Sequence, residues 1–198
     1  FIPVTYKITF TESGLSSGTW YVTLNGITES SSSSTITFNE PNGSYSYSIQ
    51  GISGYRANNY SGTIYIDGNP AYENITWSII LYPITIKENG IPNGTQWSVT
   101  LTGTAFNGNK INITLYSTTD TITFNEPNGS YAFRIHLPSG YSSSSINGTV
   151  NVSGVNVNAR ISAEKTPGFN TKIDDYAIIA LLIIAIASAS LFTFRRRK

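Results

Sequence analysis

TITFNEPNGSY runs from Thr35 to Tyr45 and recurs without a change from Thr121 to Tyr131. Within it Ile36 and Phe38 alternate with Thr and Asn, the two-residue period that turns one side of an extended chain towards a core. Pro41, Asn42 and Gly43 then mark a tight turn, and Tyr45, Tyr47 and Ile49 open a second alternating run. The segment therefore reads as two strands joined by a turn. Its recurrence makes the chain a tandem duplication.

The match extends outward on both sides. YKITFTESGLSSGTWYVTLNG from Tyr6 aligns with YPITIKENGIPNGTQWSVTLTG from Tyr82, and SGYRANNYSGTIYIDG from Ser53 aligns with SGYSSSSINGTVNVSG from Ser139. The second copy is longer where TAFNGNKINITLYSTTD replaces ITESSSSS, between Gly103 and Thr121. That insertion predicts a longer hairpin or an added edge strand. Apolar residues alternate throughout: Tyr6, Ile8 and Phe10, then Trp20, Val22 and Leu24, with Tyr82, Ile84, Ile86, Trp97, Val99 and Leu101 in the second copy. No helical period precedes Asp174. The expected class is all-β: two tandem immunoglobulin-like or fibronectin-like sandwiches of about seven strands each, over residues 3–81 and 82–163. Tyr45 and Tyr131, each just after the turn, are placed as tyrosine corners, whose phenol bonds back to the backbone.

Residues 164–175 lack apolar periodicity and contain Pro167 and Gly168, so they are expected to be a spacer. Beyond them, 176–194 carries no charged side chain and is followed by Arg195, Arg196, Arg197 and Lys198. At about 1.5 Å per helical residue this stretch reaches close to the ~30 Å hydrocarbon core of a bilayer. One C-terminal transmembrane helix is expected, with the basic tail 195–198 in the cytoplasm and the rest outside by the positive-inside rule. Ala185 and Ala189 form a small-xxx-small pair suited to packing a second helix. The absence of methionine and the start at Phe1 are read as removal of a signal peptide, with a fragment of a longer surface protein as the alternative that would look the same.

Charged residues make up 12% of the chain and the net charge is +1, which supplies no field for nucleic acid. With no cysteine, disulfides, thiolate metal sites and a cysteine nucleophile are excluded together. Few carboxylates also mean little stability to lose in acid, so an acid-tolerant exterior is expected. N-x-S/T triplets stand at Asn42, Asn59, Asn74, Asn93, Asn112, Asn128, Asn147 and Asn151, and they fit a glycosylated exterior. Asn42 and Asn128 lead these candidates because both copies carry them.

TFTESGLSSGTWYVTLNG from Thr9 to Gly26, together with NEPNGSY, resembles a repeat of surface proteins from thermoacidophilic archaea. It is also similar to the tandem modules that follow the catalytic part of thermopsin-like acid proteases. The resemblance spans roughly Tyr6 to Ser162 and implies a module without an activity of its own. The repeat's Pro after Gly-Leu is Ser16 here, whereas Pro92 keeps it in the second copy. No segment matches a protease catalytic domain, so no catalytic residue carries over.

Gly14-Leu15-Ser16-Ser17-Gly18 satisfies the G-x-S-x-G expression, but a nucleophile elbow needs a strand-to-helix turn and this one lies between strands. His136 is the sole histidine and cannot build a multi-histidine metal site. Glu40 and Glu126 are equivalent residues of separate copies, too far apart for an acid/base pair. Asp67-Gly68-Asn69 offers too few oxygen ligands for calcium. No cofactor and no metal are expected. The sequence points to a non-catalytic, membrane-anchored surface protein, a stalk, spacer or scaffold for surface-layer or filament components. Its partners would be the membrane, other surface proteins or further copies of itself. The alternatives are the non-catalytic C-terminal region of a surface acid protease, with its enzyme domain upstream of Phe1, and an accessory subunit of a membrane complex.

Overall fold

A computed structural model describes residues 3–167. The first copy runs through β1 (Tyr6–Ser13), β2 (Trp20–Leu24), β3 (Ile27–Ser31), β4 (Thr35–Glu40), β5 (Gly43–Ile49), β6 (Tyr55–Ala57), β7 (Ser61–Ile66) and β8 (Ala71–Ile79). These form two four-stranded sheets, in the orders β4-β1-β8-β6 and β3-β2-β5-β7. The central strand β1 is antiparallel to β4 and parallel to β8.

The second copy follows the same course through β9 (Tyr82–Asn89), β10 (Trp97–Ala105), β11 (Lys110–Ser117), β12 (Thr121–Glu126), β13 (Gly129–His136), β14 (Tyr141–Ser142), β15 (Asn147–Val152), β16 (Val157–Ser162) and β17 (Glu164–Lys165). Its sheets run β12-β9-β16 and β11-β10-β13-β15, with β14 pairing β17. Again the first strand is parallel to its late partner, Ile84 facing Val157 as Ile8 faces Ala71. What β8 does in one piece, β16 and β17 do in two, interrupted at Ala163, whose N–H turns to the Asn89 carbonyl at 2.7 Å.

All described residues lie in strands or their connections, so the all-β class holds. Each copy has at least eight strands where about seven were expected. The extra one is β6 in the first copy and β14 in the second, too short to leave an alternating pattern. Copy two's insertion adds no strand. It lengthens a hairpin: β10 and β11 have 9 and 8 residues, where β2 and β3 have 5 each.

The two-residue periodicity predicts the core closely. Ile8, Phe10, Trp20, Val22, Leu24, Ile36, Phe38, Tyr45, Tyr47 and Ile49 pack into one buried cluster with Trp77, while Ile84 to Ala163 form a second. Tyr6 and Tyr82 are only half-buried against these clusters. Burying a side chain of this size is worth roughly 1.5–3 kcal/mol, and it carries the stability in a chain with no disulfide.

After β1 the chain must turn between the sheets past the backbone of β8. Gly14 sits at φ +99°, and a Cβ there would collide with the Trp77 carbonyl. Gly90, at φ +115°, stands identically against the Ala163 carbonyl. A carboxylate steadies each turn: Glu12 Oε2 accepts from Leu15 N at 3.5 Å, and Glu88 Oε2 from Ile91 N at 3.0 Å.

Among the described residues no helix is long and apolar enough to cross a membrane. The expected spanning segment 176–194, with Ala185 and Ala189, and the tail 195–198 lie outside them.

Candidate functional site

The duplicated segment builds the same device at one end of each sandwich. Tyr45 Oη donates to the Pro41 carbonyl at 2.9 Å, and Tyr131 Oη to the Pro127 carbonyl at 2.7 Å. These are the expected tyrosine corners. Burial, reinforced by the negative charge of Glu126, pushes the Tyr131 phenol up to about 12. Tyr45 is raised as well, by burial and then by Glu40.

Asn42 and Asn128 have a role that composition does not reveal. Asn42 Oδ1 accepts from Gly68 N and Asn128 Oδ1 from Gly154 N, both at 2.8 Å. Each strap ties the corner turn to the hairpin after β7 or β15, and its side-chain Nδ2 takes no part in that bond. Asn59, Asn74, Asn93, Asn112, Asn147 and Asn151 are exposed, as is Asn42, whereas Asn128 is half-buried. The Asp67-Gly68-Asn69 turn is thus occupied by the Asn42 strap, and Asn69 Nδ2 donates to the Asp67 carbonyl at 3.1 Å.

Trp20 and Trp97 are buried, and their indole N–H groups donate to Ser33 O at 2.8 Å and Thr119 O at 2.6 Å. Ser16 lies in a strand-to-strand connection, its Oγ 2.7 Å from Tyr55 Oη. His136 is exposed, with Nε2 2.9 Å from Thr100 Oγ1. Among the described residues, no group of three or more His, Asp or Glu side chains could hold a metal ion. Glu40 and Glu126 belong to the separate sheets of the two copies. Glu126 is buried, which raises its carboxyl above the ordinary 4.5. Asp120 is lowered, chiefly by its bond to Lys87, with Nζ 2.9 Å away.

The feature that sequence reasoning missed joins the two copies. The enlarged hairpin carries Phe106 at its tip, and the ring meets Tyr55 of the first copy edge-on, with centroids 5.2 Å apart at 80°. Gly54 makes room, since a Cβ there would stand 2.8 Å from the Phe106 ring. Gly140, the equivalent glycine in the second copy, has nothing over it. Phe106 N in turn donates to the Asn128 carbonyl at 2.7 Å, tying the tip to the corner turn. The signal was an aromatic at the apex of an insertion, TAFNGN, with no core position to fill.

No family model and no curated protein matches this sequence. Solved structures do match by shape. The Bacillus anthracis TIE protein superposes over 82% of this chain with TM-score 0.60 at 14% identity. The chain spans only 34% of that protein's length. The C-terminal fragment of the pilus adhesin SpaC from Lactobacillus rhamnosus GG matches over 82% of this chain and 97% of its own, with TM-score 0.50 at 12% identity. At such identities the likeness is one of fold alone.

Proposed function

We propose that this chain is a non-catalytic surface structural protein, a two-module spacer held at a membrane by 176–194. The observation that carries the reading is the Phe106–Tyr55 joint, because a second copy enlarged to brace the first supports a stiff pair over two independent beads. By compact-domain scaling, modules of this size are about 30 Å across, so the pair would stand ~60 Å from its anchor. Residues 3–81 and 82–163 act as folding units around the two cores, the second extended through β17 to Thr166, with 167–175 left as spacer. Exposed triplet asparagines outside β11, Asn42 first among them, project glycans, and the low charge together with the few shifted carboxylates suits the acidic exterior of an archaeal surface repeat. The adhesin-like fold is consistent with a surface role for it.

The test is fractionation of the full chain beside a chain ending at Asp174. The full chain should stay with membranes through a high-salt wash and the shortened one should be released folded. Retention of the shortened form would remove the anchor, and peptide or glycan hydrolysis by the purified chain would overturn the non-catalytic reading.

A further inference from the structure

From Tyr6 onward the N-terminal run offers a neighbour no free edge. β1 lies between β4 and β8 with both its edges occupied. Open edges lie elsewhere, and one differs from the rest. β11 ends its sheet and has 8 residues, against 5 for β3, 6 each for β4, β7, β12, β15 and β16, and 3 or fewer for β6, β14 and β17. Natural edges are blunted by charges, proline or bulges. β3, the counterpart in the first copy, carries the exposed Glu29. β11 reads KINITLYS, pairs with β10 without a bulge, and has no charge after Lys110.

Its free backbone groups can be assigned. Ala105 N donates to Asn109 O at 2.9 Å, so that pair is hydrogen-bonded. Because the ladder alternates, the register then turns the backbone groups of Ile111, Ile113 and Leu115 towards β10. Those of Asn112, Thr114 and Tyr116 face outward. On the inner side of this strand Ile111 and Leu115 are half-buried and Ile113 is 38% exposed, and on the outer side Tyr116 is 67% exposed.

We propose that β11 pairs antiparallel with β11 of a second copy about a two-fold axis through Ile113, joining two sheets into one. The proposal rests on the surface-spacer reading above and names the partner. The sequence is self-complementary in this register. Ile113 meets its own counterpart, Ile111 meets Leu115 on the inner side, and Asn112 meets Thr114 on the outer side, where their free backbone groups exchange hydrogen bonds. Lys110 faces Tyr116, so no like charges oppose each other and an ammonium lies over a phenol ring. The interface is isologous and closes at two chains.

The chain's lack of cysteine makes the test direct. Ile113 sits at a non-hydrogen-bonded pair, where facing Cα atoms are about 4.5 Å apart, within disulfide reach. The full chain carrying Ile113→Cys, made without N-glycans because a glycan on Asn112 stands at the seam, should oxidise in mild detergent to a species of twice the mass. Adding Thr114→Pro, which removes an outward N–H that β10 does not use, should lower that yield by about tenfold or more. Ile113→Lys, which sets two ammonium groups on the axis, should leave the otherwise unmodified chain monomeric and folded, with its unfolding no longer dependent on protein concentration, and covers the case in which proline disturbs the strand. An unmodified chain that is monomeric in detergent, absent cross-linking with the fold intact, or an adduct to a different protein in native membranes would overturn self-pairing. Each leaves the membrane-release result, and so the spacer reading, standing.

Discussion

Tyr131 shows how a side chain can be both core and clasp. Its ring is fully buried while its hydroxyl is spent on the Pro127 carbonyl. Tyr131→Phe keeps the ring and strands the carbonyl, for which a loss of about 1–3 kcal/mol is expected in chemical denaturation of the second module. Tyr45→Phe should weaken the first module less, since the bond at Tyr45 is longer and less buried. Glu126 works in the opposite sense. Burial raises its carboxyl, so the folded state holds the proton more tightly than the unfolded chain and ionisation opposes folding. That penalty is present at neutral pH and disappears as pH falls through the raised folded value. Asp120, lowered by Lys87, contributes stability that fades in acid, but it is exposed and contributes little. Glu126→Gln should therefore raise the melting temperature at pH 7 and lose that advantage near pH 4.5 and below, as read by thermal unfolding at both values. A constant difference across pH would show that Glu126 is not the titrating group.

At the scale of elements, the β10–β11 hairpin is where the two copies cease to be equivalent. Phe106→Ala should remove an edge-to-face contact worth about 0.5–1.5 kcal/mol and leave the unfolding of each module within ~0.5 kcal/mol of the parent. What changes is the joint: small-angle scattering of the chain ending at Asp174 should show a broader spread of end-to-end distances. An unchanged profile would mean that the linker around Leu81 alone sets the angle. The strands were legible because alternation acts locally: β4 and β5 can be read from TITFNEPNGSY, and Ile36, Phe38, Tyr45 and Tyr47 are all buried as read. The corner was legible because proline, turn and tyrosine are close in sequence. The straps from Asn42 to Gly68 and Asn128 to Gly154 were not, since their partners lie a hairpin away, and abundant asparagine conceals the two that matter. The Phe106 joint was invisible for the same reason: its partner Tyr55 belongs to the other copy.

For the whole molecule, two cores imply two unfolding events. Trp20→Ala and Trp97→Ala each open a cavity worth about 3–5 kcal/mol, and each should collapse one calorimetric transition while sparing the other. Loss of both together would show that the joint couples the modules more tightly than one aromatic contact allows. The segment that is identical in both copies carries a further hazard. During folding, β12 and the start of β13 are indistinguishable from β4 and the start of β5, and tandem repeats of this kind misassemble by trading strands. One partly buried pair guards against the exchange. Tyr47 Oη donates to Glu73 Oε1 at 2.8 Å, and burial with that bond pushes the phenol up to about 12. By register the second copy places Phe133 and Ala159 at the corresponding positions, with both polar partners gone. A strand from the wrong copy thus leaves either Glu73 without its donor or Tyr47 without its acceptor, a mismatch of about 1–3 kcal/mol. The double variant Tyr47→Phe, Glu73→Ala should be nearly as stable as the parent yet refold with more strand-exchanged product, detectable by limited proteolysis. The duplication thus carries its own proofreading mark, written where the copies differ and not where they agree.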